Sequence, residues 1–195
     1  MPRIVDHDER RRAIVAAATE LVEKAGPQAL TMRSLAARLG VANGALDRYF
    51  PAGKAAIMDA VYTAAYEKVR SQVGAVLEGC APGLDMVRAM VTALMPVKGA
   101  VEGAPVLVAF WNEIGDTDEV RDRIGHDLAH LRDRIHQLLE AAVTRGEITH
   151  RERIDTAAVT LVALVSGSYH VTLAMPGRSA EQGYADAVDL VLAGL

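Results

Sequence analysis

Apolar residues recur at three- and four-residue spacing along most of the chain, and no strand-length run alternates apolar with polar residues. That spacing lays one stripe along a helix, whereas a half-buried strand needs a period of two. Ile14, Ala17, Ala18, Leu21, Val22 and Ala25 make the first such stripe. The apolar content is mostly Ala, Leu and Val. Only 2 Phe, 1 Trp and 5 Tyr stand within a 51% hydrophobic composition, a mix that favours packed helices over sheets. The expected fold class is all-α, and 195 residues suffice for one large domain or two smaller ones.

Turn residues divide the stripes. The first helix is expected over residues 8–25, introduced by Asp6 and Glu9 as a capping pair and stopped by Gly26-Pro27. Thr31 reads as the N-cap of a short helix over 32–39, and Gly40 as the turn residue after it, where positive φ is needed. A second short helix is expected over 42–49, then Pro51 and Gly53, then a long helix from Lys54 to Leu77 or Glu78. Beyond Ala81-Pro82-Gly83, helices are expected at 84–96, 104–115, 118–145, 154–175 and 179–193. Gly115-Asp116, Arg145-Gly146 and Pro176-Gly177 separate them. The division implies a helix-turn-helix domain over 1–53 and a helical domain over 54–195.

No apolar run reaches the ~20 residues of a membrane helix, and residues 1–12 are charged, without the apolar stretch of a secretion signal. Cys80 is the only cysteine, so no internal disulfide forms and a reducing cytoplasm is expected. The net charge of −4 is unevenly spread. Residues 1–58 carry nine Lys/Arg against six Asp/Glu, a net +3. The other 137 residues carry 12 against 19, a net −7. Phosphate attraction works through patches screened within about 10 Å, so a cationic head on an acidic body can still approach DNA.

Two short helices joined by a Gly turn and packed on a longer one form a DNA-reading unit, with the second short helix in the major groove. Here the sequence resembles the TetR family, from Arg10 to about Val61. The resemblance runs through Thr31-Met32-Arg33-Ser34-Leu35-Ala36, Leu39-Gly40-Val41, Gly44-Ala45-Leu46 and Tyr49-Phe50-Pro51-Ala52-Gly53-Lys54. The remainder is similar to the BetI-like C-terminal domains of that family, through Phe110-Trp111, Arg145-Gly146-Glu147-Ile148 and the segment from Leu161 to Tyr169. The resemblance implies a ligand-responsive repressor that binds a near-palindromic operator in double-stranded DNA as a homodimer. It implies phosphate contacts from Thr31 and Arg33, groove-facing Asn43, Asp47 and Arg48, and flanking backbone contacts from Tyr49 and Lys54. Asn and Arg suit adenine and guanine edges respectively. Phe50 is expected in the core, and the run Arg10-Arg11-Arg12 either is simply solvated or reaches phosphate or the minor groove.

The chain departs from the family pattern in carrying Ala42 and Ala45 where members usually have Ser or Thr, and Asp47 where they have an aromatic. Two phosphate hydrogen bonds are thereby lost. Asp47 repels phosphate unless it pairs with Arg48 or accepts from a cytosine amino group.

For the dimer, the resemblance pairs helices 118–145 and 154–175 with their symmetry mates in a four-helix bundle. The first carries Val120, Ile124, Leu128, Leu131, Ile135, Leu138, Leu139 and Ala142; the second carries Ala157, Ala158, Leu161, Val162, Leu164, Val165 and Gly167. Read from the residues alone, both stripes are equally good intramolecular core. The candidate lining for an unknown small-molecule effector is Tyr62, Tyr66, Met86, Met90, Met95, Phe110, Trp111, Asn112, Glu113 and Tyr169. Met and aromatic residues make adaptable apolar walls, and a few polar groups orient a ligand.

Two rival functions stay open: a helical carrier or interaction protein with an eroded DNA reader, and a metal-dependent helical enzyme. His126 and His130 lie one turn apart near Asp122, Asp127 and Asp133. Glu147-Ile148-Thr149-His150 has a di-iron-like spacing, but in one copy only. No nucleophile elbow or Gly-rich phosphate loop is present. The expectation is a non-enzymatic protein with no cofactor, no metal and no membrane partner.

Overall fold

The structure is a computed structural model, and it describes residues 7–96, 102–112, 118–174 and 181–195. Eight helices occur among them: α1 His7–Ala25, α2 Met32–Leu39, α3 Gly53–Glu78, α4 Leu84–Ala93, α5 Ala104–Asn112, α6 Asp118–Thr144, α7 Ile154–Ala174 and α8 Glu181–Ala193. There is no strand among the described residues, as the apolar spacing requires. The expected Asp6 cap and the breaks at Gly115-Asp116 and Pro176-Gly177 lie outside the described residues. Helix α4 stops at Ala93, short of the expected 96. The amides of Leu94 and Met95 turn back to the carbonyls of Val91 and Thr92, closing the helix ahead of Pro96, which disfavours helical backbone in the residue before it.

The chain forms two compact units. The first holds Met1–Lys68 with Pro105–Glu113. In it α1 packs against α2. Ile14, Ala18 and Val22 from α1 are buried, with Leu35 and Ala36 from α2, Leu46 and Phe50 from the segment that follows, and Ile57 and Val61 from α3. Tyr62 and Phe110 meet edge to face, 5.4 Å between centroids.

The second unit holds Val69–Ala104 with Ile114–Leu195. Here α6 packs on α7, α4 on α6 and α8, and α7 on α8. Ile124, Ile135, Leu139 and Ala142 of α6 are buried, as are Ala158, Leu161 and Val165 of α7. The loop after α6 ties back to α4. Glu147 accepts a 2.8 Å hydrogen bond from the Leu84 amide and a 2.7 Å one from the Arg145 guanidinium. The carboxylate thus caps a helix that has no side-chain cap of its own. Both bonds favour the charged form, the Leu84 amide foremost, and hold Glu147 below the usual carboxylate range. Gly83 is required beneath it: φ is 110°, and a Cβ would overlap the Glu147 carboxylate.

The two stripes expected to build a dimer are largely spent inside this unit. Ile124, Ile135, Leu138, Leu139, Ala142, Ala157, Ala158, Leu161 and Val165 are all buried within one chain, while Leu128, Leu131, Val162, Leu164 and Gly167 are half-buried. The side chain of Val120 lies outside the described residues. What α7 turns outward is a different row: Thr156, Val159, Ala163 and Val171. Val159 is 56% exposed, and no Asp, Glu, Lys or Arg lies between Thr156 and Val171. By length and composition alone, the stretch containing α7 could cross a membrane; its inner stripe is instead packed as core.

Candidate nucleic-acid interface

Helix α2 is fixed at both ends. The Thr31 hydroxyl accepts from the Ser34 amide at 3.0 Å, and the Ser34 hydroxyl accepts from the Thr31 amide at 2.9 Å. This reciprocal pair is a capping box with Ser in the third helical position, and a cap of this kind stabilises by about 1 kcal/mol. At the other end Gly40 takes φ 65°, ψ 34°, the left-handed conformation that a side chain disfavours. The Val41 amide returns to the Ala36 carbonyl at 3.0 Å, and the chain reverses.

The following segment departs from expectation. In place of an α-helix over 42–49 there is a 3-10 turn, Asn43–Ala45, continued by hydrogen-bonded turns to Tyr49. The Ala45 amide bonds to the Ala42 carbonyl, Leu46 to Asn43, and both Tyr49 and Phe50 to Leu46. Ala42 offers no side-chain acceptor at the cap, and Gly44 weakens any helix through it. Packing supplies the order instead: Leu46 and Phe50 are each 1% exposed, so they pin one side down while Asn43, Asp47 and Arg48 face solvent. Tyr49 is half-buried; Thr31, Arg33 and Lys54 are exposed.

Among the described residues Arg33, Arg48 and Lys54 make no ion pair, and Asp47 does not pair with Arg48. Arg38 is spoken for by Glu20, which also lies 3.9 Å from Lys24. Arg11 is turned inward: it donates to the Tyr49 carbonyl and lies 4.2 Å over the Phe50 ring. His7 adds a tilted ring contact to Tyr49 at 4.9 Å. Nothing in the sequence pointed to Arg11 or His7 as partners of Tyr49, because no periodicity links residues so far apart in the chain.

The effector candidates divide between the units. Tyr62, Tyr66 and Phe110 belong to the first, and Met86, Met90, Met95 and Tyr169 to the second. Glu113 lies outside the described residues, as do the side chains of Trp111 and Asn112. Tyr62 and Phe110 are brought together; Met90 and Met95 are buried, and Tyr66 and Met86 half-buried. Tyr169 stands apart. It is 5% exposed, its hydroxyl is buried without a hydrogen-bond partner among the described residues, and burial pushes its ionisation well above the usual phenol range. No cluster of three or more metal-ligating side chains occurs among the described residues.

Residues 14–61 match the family described as bacterial regulatory proteins, tetR family. Residues 83–195, more than half of the chain, match the BetI-type transcriptional repressor C-terminal family. The chain belongs to the TetR family. It is a ligand-responsive DNA-binding transcriptional repressor by membership of that family, whose members are generally not enzymes. Solved TetR-family structures share the fold at low identity. A regulator from Cytophaga hutchinsonii superposes with a TM-score of 0.84 at 16% identity, covering 99% of this chain and 98% of its own. A TetR regulator from Chloroflexus aurantiacus gives 0.80 at 21% identity, covering 96% of each. A protein from Saccharomonospora viridis, solved in complex with choline, gives 0.82 at 19% identity, covering 95% of this chain and 96% of its own. No curated protein matches by sequence.

Proposed function

We propose that two copies of this TetR-family protein bind a near-palindromic operator, with Asn43, Asp47 and Arg48 reading base edges and Thr31, Arg33, Tyr49 and Lys54 holding phosphates. The observation that carries this reading is the exposure of Asn43, Asp47 and Arg48 on a segment whose opposite side is anchored by Leu46 and Phe50. Short contacts from one head cover few base pairs, so a symmetric pair supplies useful affinity. The outward row of α7, small and free of formal charge, is the surface proposed for that pairing.

The second unit is proposed to sense a small apolar or amphipathic effector, with Tyr169 as its polar anchor and Met86, Met90 and Met95 as apolar wall. An effector releases DNA only if it binds the two arrangements of the heads with different affinity. Helix α3 is the proposed lever, since its Gly53–Lys68 part belongs to one unit and its Val69–Glu78 part to the other. Tyr62, Tyr66, Phe110, Trp111, Asn112 and Glu113 remain proposed effector-lining residues. Choline, held by the Saccharomonospora viridis protein, is a suitable first probe. The exposed carboxylate of Asp47 favours a second reading, a helical ligand-binding protein with an eroded reader.

Fluorescence anisotropy on duplexes from the intergenic DNA beside its gene tests the two. The repressor reading expects binding with a steep salt slope. Lys54→Ala weakens all duplexes alike and lowers that slope by about 1, while Arg48→Ala relaxes specificity and loses about 1–3 kcal/mol on the operator. Absence of binding to any such duplex at low salt sinks it in favour of the eroded reader.

A further inference from the structure

The presenting segment lacks an α-helical ladder, so its direction has to be held from outside. Its far end is the weak point. The Gly53 amide, four residues beyond Tyr49, is spent on the Phe50 carbonyl at 2.9 Å, and Pro51 has no amide to give. The Tyr49 carbonyl takes its donor from Arg11, reached across from α1. The same guanidinium covers the Phe50 ring at 4.2 Å, a geometry in which the planar cation is attracted to the ring face. One side chain of α1 therefore grips both the backbone and the anchoring ring at the end of the reader, and His7, one turn earlier, leans on the ring of Tyr49.

We propose that Arg11 is a positioning residue for DNA recognition: it braces the segment 43–50, and sets the direction in which Asn43, Asp47 and Arg48 meet the groove, through Tyr49 and Phe50 rather than through a phosphate. This rests on the DNA-reading proposal above. It separates Arg11 from the exposed Arg10 and Arg12 beside it in the basic run.

Two variants and two readouts test it: Arg11→Lys, which keeps the charge and the stem but not the planar fork, and Arg11→Met, which keeps only apolar packing. In the free protein, hydrogen exchange of the Tyr49 and Phe50 amides is expected to speed up about tenfold or more in both, with α2 amides unchanged. On a duplex selected from random sequence by the wild type, both variants are expected to lose about tenfold or more in affinity. Affinity for non-cognate duplex stays near wild type, and the salt slope of Arg11→Lys is unchanged. A phosphate contact gives another pattern: Arg11→Lys binds as wild type, and Arg11→Met loses about one unit of salt slope. That pattern, or unaltered exchange over 43–50 in both variants, overturns the brace. A wild type that selects no duplex defeats the DNA-reading proposal, and the exchange rates then decide the brace alone.

Discussion

Tyr169 carries a buried hydroxyl that has no hydrogen-bond partner among the described residues. Leaving such a group unbonded costs about 1–3 kcal/mol, because the hydrogen bonds it made to water in the unfolded chain are not replaced. Phenylalanine at that position keeps the ring and removes the debt. Tyr169→Phe is therefore expected to raise the melting temperature of the ligand-free protein by about 2–4 °C in a thermal scan. A lower melting temperature would mean that the hydroxyl is bonded after all and is no anchor for an effector. Its ionisation points the same way: burial keeps the phenol protonated far into alkali, so across the physiological range it remains a neutral donor.

At the scale of elements, what was legible in the sequence followed the local signals. Thr31 and Gly40 marked both ends of α2, and the structure places the helix at Met32–Leu39 between them. The same reasoning overreached by one helix at 42–49, since apolar spacing there reports the anchors Leu46 and Phe50, not the backbone that carries them. Spacing also could not tell which part of the α6 and α7 stripes is consumed inside one chain, because burial by a distant helix leaves no mark on periodicity. Glu147 is a further case: read as half of an isolated Glu-x-x-His pair, it is the cap of α4, 63 residues away. Its carboxyl is held below the ordinary 4.5 by the Leu84 amide and then by Arg145. A carboxyl depressed in the folded state stabilises above its unfolded value, and that contribution is lost as the pH falls through the folded one. Glu147→Ala is thus expected to lower the urea midpoint at neutral pH. The gap to wild type should close below the ordinary carboxylate range; a gap unchanged by acid would show that the charged cap contributes nothing.

For the whole molecule, pairing through the outward row of α7 makes Val159 the test position, at 56% exposed in a single chain. Val159→Asp puts a carboxylate into the proposed seam from each copy. It is expected to yield a folded monomer by light scattering, and to weaken operator binding about a hundredfold or more, as the second head is lost. A variant that stays dimeric moves the interface elsewhere. The absence of Asp, Glu, Lys and Arg along that row has another side. Like charges brought face to face are how related coiled partners refuse one another, and a seam of Val, Ala and Thr has no such means of refusal. With the pairing proposed above, discrimination between copies of this chain and other regulators of similar build would rest on shape alone.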